Sequence, residues 1–95
     1  MTPEQRFSII VDEVLHYMWD PIGVAGTPEA RDEYQGYVAR VVELALANDE
    51  DGITAYLRTM ETKHMGVAGD QRRCADVADA VMSWKLNLLG EKGEV

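Results

Sequence analysis

Two Glu-x-x-His units, Glu13-Val14-Leu15-His16 and Glu61-Thr62-Lys63-His64, are the residues in this chain whose spacing most resembles metal chemistry. One helical turn separates carboxylate from imidazole in each, and two such units on facing helices build carboxylate di-iron sites in four-helix bundles. A site of that kind also needs an inward Glu from each remaining helix, and the last helix offers only Asp76 and Asp79. At ~100° per residue, Glu13 and His16 fall opposite the apolar stripe of their own helix and should face water. No metal site and no cofactor are therefore expected. His64 falls within the apolar stripe of the third helix and reads as a helix-ending histidine near the negative end of the dipole.

Nucleophilic chemistry is equally hard to assemble. Ser8 and Ser83 have no His or acid at helical spacing to act as a base, and no Gly-rich strand-to-helix loop is present to cradle phosphates. Cys74 is the only cysteine, which excludes an internal disulfide and a Cys-based zinc site. Inside an apolar helical pattern it reads as a small core residue. No catalytic residue is assigned, and the chain is expected not to be an enzyme.

More particular residue choices occur at Trp19-Asp20-Pro21-Ile22-Gly23-Val24, followed by Asp32-Glu33-Tyr34. Asp before Pro favours a turn in which the Asp20 carboxylate accepts the N–H groups of Ile22 and Gly23. Trp19, Ile22 and Val24 would then tuck inward as a plug over one end of the fold, with Trp19 as a packing anchor. The alternative is functional: Asp20, Asp32 and Glu33 form an exposed acidic rim around an aromatic patch, suited to a basic partner. Asp49 and Glu50, in the second connection, extend that candidate set. Their position before a helix reads equally as a cap, because carboxylates are favourable at a helix amino terminus.

The elements that must position these residues are four amphipathic helices. Thr2-Pro3-Glu4-Gln5 is a capping-box start, and Phe7, Ile10, Val11, Val14, Leu15 and Met18 form the first stripe, to about Met18. A second helix from about Pro28 to Ala47 should bury Tyr34, Tyr37, Val38, Val41, Leu44 and Ala45, with Val42 and Leu46 widening its apolar face. Ile53, Tyr56, Leu57 and Met60 mark a third that ends at His64-Met65-Gly66, Gly66 being left-handed. The fourth, from about Asp70 to Leu89, should bury Cys74, Val77, Ala78, Val81, Trp84 and Leu88. With no strand pattern, the expectation is an all-α, compact four-helix bundle over residues 1–90, followed by a flexible C-terminal tail, 91–95.

The sequence has 95 residues, 17 acids and 9 bases, for a net charge of −8. That balance opposes binding to nucleic acid, which requires clustered Lys and Arg. No stretch approaches the ~18 apolar residues of a membrane span, and the amino terminus lacks a secretion signal, so the expected location is cytoplasmic.

At Trp19 to Val24 and Asp32 to Tyr34 the chain resembles a family of small, stand-alone bacterial helical proteins of unassigned function, marked by Trp-Asp-Pro-Ile-Gly-Val and then Asp-Glu-Tyr. The resemblance extends to Tyr56-Leu57, Glu61, Met65-Gly66-Val67 and the Ala78-to-Trp84 helix; Gln35 stands where many members carry Asp. It implies an α-helical fold and supplies no established activity, although small acidic members look like immunity proteins encoded beside bacterial toxins. The expected function is thus a protein-binding module, an immunity-type inhibitor of a basic toxin or effector. The alternative is a homodimer paired through the Val42 and Leu46 face of the second helix.

Overall fold

The computed structural model describes residues 1–90, and the expected tail, 91–95, lies outside the described residues. Four α-helices, α1 (Pro3–Val14), α2 (Val38–Leu46), α3 (Glu50–Thr59) and α4 (Gln71–Leu89), pack as a small bundle with no strand among the described residues. The longest, α4, lies against α1 and α3, and α2 closes against α1 and α3. The core comprises Phe7, Val11, Leu15 and Trp19 from the first segment, Tyr34, Val41, Leu44 and Ala45 from the second, Ile53 and Leu57 from α3, and Cys74, Val77, Ala78 and Val81 from α4.

Local chemistry explains most helix starts and stops. Thr2 accepts the Gln5 N–H at 3.1 Å while the Gln5 side chain accepts the Thr2 N–H at 2.8 Å, the expected capping box. Asp49 caps α3 by accepting the Gly52 N–H at 2.9 Å, and Asp70 caps α4 by accepting the Arg73 N–H at 3.0 Å. Gly66 is left-handed, at φ 69°, and Asn48 ends α2 in the same region, at φ 58°.

Two helices end differently from the pattern expected. A π-turn, Leu15–Trp19, follows α1, closed by the Asp20 N–H to the Leu15 carbonyl at 3.0 Å. Another, Met60–His64, follows α3, closed by the Met65 N–H to the Met60 carbonyl at 3.0 Å. Each wider turn lets the buried positions advance by fours, through Phe7, Val11, Leu15 and Trp19 and through Ile53, Leu57 and Glu61. An α-helix of 3.6 residues per turn would drift off that line. In consequence Met18 is exposed rather than buried, and so is His64, which helical periodicity assigns to the third stripe.

The second helix is shorter than its pattern suggests. Pro28–Ala30 and Gln35–Tyr37 are 3₁₀ turns, and α-helix begins only at Val38. Between Pro28 and Glu33 no large apolar side chain gives a helix a face to bury, and Gly36 weakens any helix through the next turn. The segment instead folds back over α1, where the Arg31 guanidinium pairs with Asp12 at 3.1 Å.

That fold-back corrects the placement of His16. It is 2% exposed rather than facing water, with its ring edge-on to Tyr17 at a centroid distance of 4.5 Å and Tyr34 at 6.3 Å. Glu13 remains exposed. On α4, Trp84 is 41% exposed, and the buried line runs from Val81 to Lys85 instead. Ile22, expected to tuck inward, is also exposed, whereas Val24 packs against the core.

Candidate functional site

The two π-turns rotate Trp19 and Glu61 toward each other across the bundle. The Trp19 indole donates to Glu61 Oε2 at 2.7 Å, and the same oxygen accepts the Cys74 thiol at 3.2 Å. Glu61 Oε1 accepts the Asp70 N–H at 2.9 Å, where α4 begins. Thus a carboxylate 1% exposed ties together the ends of the first and third segments and the start of α4. Three donors and the positive end of α4 compensate its burial, and among the described residues it forms no salt bridge. Burial first, and then the hydrogen bond to Glu61, push the Cys74 thiol up to about 12, so it is held protonated and is not a nucleophile at neutral pH.

Beside this clasp, the Trp19–Val24 loop is organised by Asp20. Its backbone is left-handed, at φ 33°, and its carboxylate accepts the Val24 N–H at 2.7 Å and the Ala25 N–H at 3.1 Å. These are not the Ile22 and Gly23 groups expected: the left-handed bend carries the carboxylate past them to the next amides. Tyr34 donates its hydroxyl to Asp20 Oδ1 at 2.7 Å and accepts the Ile22 N–H at 3.3 Å. Burial acts to raise the Asp20 pKa, but the Tyr34 hydroxyl and the two amides outweigh it and hold the carboxylate below its ordinary 3.8. Burial and the bond to Asp20 shift Tyr34 upward.

The candidate partner-binding acids consequently separate. Asp20 is half-buried with both oxygens bonded inside the loop, so it does not belong to an exposed rim. Asp32 and Glu33 are exposed at the same end of the bundle. Asp49, which caps α3, and Glu50 lie at the other end, next to Asn48, whose side chain meets Lys85 in the last turns of α4. The 19-residue α4 is about 28 Å long, so the five acids do not form one surface.

The potential metal ligands are also apart in kind. Glu13 and His64 are exposed while His16 and Glu61 are buried, and among the described residues no group of three or more His, Cys, Asp or Glu is arranged around a common point. Arg58 bonds Gln71 across α3 and α4, close to the Gly69 backbone.

Sequence patterning missed one surface. Tyr17 is 62%, Met18 42% and Trp84 41% exposed, and with Ile10, Val14 and Glu13 they line a shallow depression between α1 and α4. Arg31, the residue before Asp32 and Glu33 in the chain, stacks over the Tyr17 ring at 5.5 Å. The signal that could have exposed it is the excess of apolar residues over the number that one stripe of α1 can bury.

No family model, curated protein or solved structure matches the chain. No helix among the described residues is long and apolar enough to cross a membrane.

Proposed function

We propose that this protein is a binding module for a basic protein partner, of the immunity-inhibitor kind, and that binding is the whole of its activity. The observation carrying this reading is the Tyr17, Met18 and Trp84 shelf on a molecule of net charge −8. Exposed aromatic and Met side chains grouped in one depression are the residue types that dominate interface energetics. Carboxylates at its margin, Glu13 within it and Asp32 and Glu33 beyond Arg31, would draw a cationic surface and exclude an anionic one. The dimer reading has less support, because Val42 packs against the bundle's own core and leaves Leu46 as the exposed large apolar residue of α2.

The test is capture from host lysate followed by binding kinetics with the captured protein. Trp84→Ala should accelerate dissociation, and Asp32→Lys with Glu33→Lys should slow association about tenfold at low salt while leaving the helical spectrum unchanged. Raising salt should reproduce the effect of charge reversal. Association indifferent to salt, to charge reversal and to Trp84→Ala would overturn the proposal.

A further inference from the structure

The opposite end of the bundle holds a second feature, independent of the shelf. The ends of α1, α2 and α4 enclose a half-open pocket of about 410 Å³, lined by Pro3, Glu4, Leu46, Lys85, Leu88 and Leu89, with Gly90 at its edge. That volume is at the small end of the range for ligand pockets. Its walls are chiefly apolar, yet Lys85 is 4% exposed, buried in the line that continues Val77, Ala78 and Val81.

The Lys85 ammonium donates to Asn48 Oδ1 at 2.7 Å, a neutral acceptor offered by a residue held in the left-handed conformation. An ammonium has three donors, and this is its hydrogen bond among the described residues. None of the ion pairs among them involves Lys85, although acids outnumber bases. Glu4 lies on the pocket wall but is exposed and forms no ion pair with the amine. Among the described residues no carboxylate meets this cation, and the desolvation of such a group is offset well by a carboxylate that can be hydrogen-bonded at short range.

We propose that this pocket binds a small aliphatic carboxylate, with its tail between Leu46, Leu88, Leu89 and Pro3 and its carboxylate on the Lys85 ammonium. The apolar walls select a hydrocarbon chain, and the amine selects the anion over a neutral isostere. Asn48 positions the amine, and a ligand carboxylate would take its remaining donors.

Hexanoate and hexanamide, titrated separately into the full-length, isotope-labelled protein in carboxylate-free buffer, distinguish charge recognition from simple apolar filling. The expected result is saturable hexanoate binding with shifts centred on Asn48, Lys85 and Leu88, and binding of hexanamide weaker by about tenfold or more, the size of one charge-assisted hydrogen bond. Lys85→Met should abolish that preference and Lys85→Arg should retain it. Should Lys85→Met not fold, the comparison of the two ligands on the unaltered protein still decides. Equal affinity for acid and amide, or no saturable shift with hexanoate, would overturn the proposal.

Discussion

Glu61 is a buried acid that serves as an acceptor hub. Truncating it leaves the buried Trp19 indole N–H without its acceptor and removes the acceptor of the part-buried Asp70 amide. Glu61→Ala should therefore destabilise the protein by about 2–4 kcal/mol, more than Glu61→Gln, whose amide oxygen still accepts one donor. Urea denaturation measures both, and a Glu61→Ala midpoint equal to wild type would show that the clasp contributes nothing. Cys74 adds a pH dependence. Its folded pKa is raised from 9.0 to about 12, so the fold favours the neutral thiol. That contribution is fully present below pH 9 and is lost as pH rises toward 12. Cys74→Ser should show a smaller loss of stability than wild type between those limits in thermal melts. An identical alkaline profile in the two proteins would count against a titrating thiol.

At the scale of elements, the connection from the Met60–His64 π-turn to α4 turns on two glycines. Gly66 and Gly69 both have positive φ, 69° and 86°, so a side chain at either is strained. They differ in surroundings. A Cβ at Gly66 meets nothing within 4 Å, whereas one at Gly69 would lie 3.0 Å from the Thr62 methyl, 3.1 Å from Arg58 Nε and 3.4 Å from Glu61 Oε1. Gly66→Ala should cost about 1–2 kcal/mol from backbone strain alone. Gly69→Ala should cost more, because it also crowds the Glu61 clasp. Equal losses in denaturation would mean that Thr62 and Arg58 move aside without penalty.

For the whole molecule the governing quantity is charge. A net charge of −8 is carried on a body of 42 × 26 × 17 Å. At 0.01 M salt the screening length is ~30 Å and at physiological salt ~8 Å, so repulsion reaches across the molecule in the first case and is confined to neighbours in the second. Adding salt over this range should raise the melting temperature by about 2–6 °C. A fall would show that ion pairs such as Arg31–Asp12, which salt weakens, outweigh the general repulsion.

The part of the fold legible in the chain is set by the range of the interactions. The all-helical class, the caps at Thr2 and Asp49, the left-handed Gly66 and the buried Trp19 and Cys74 could be read from it, because caps join residues three apart and apolar stripes repeat within a helix. Tertiary contact alone decided that Trp19 meets Glu61, 42 positions away, and that Lys85 meets Asn48, 37 positions away. It also decided that His16 is covered by a segment returning from the next connection, and that π-turns replace the last turns of two helices. Helical periodicity assigns one face per helix; it contains no information about which polar side chain on a neighbouring face will find donors, and that partnership is the condition under which a buried Glu or Lys is tolerated.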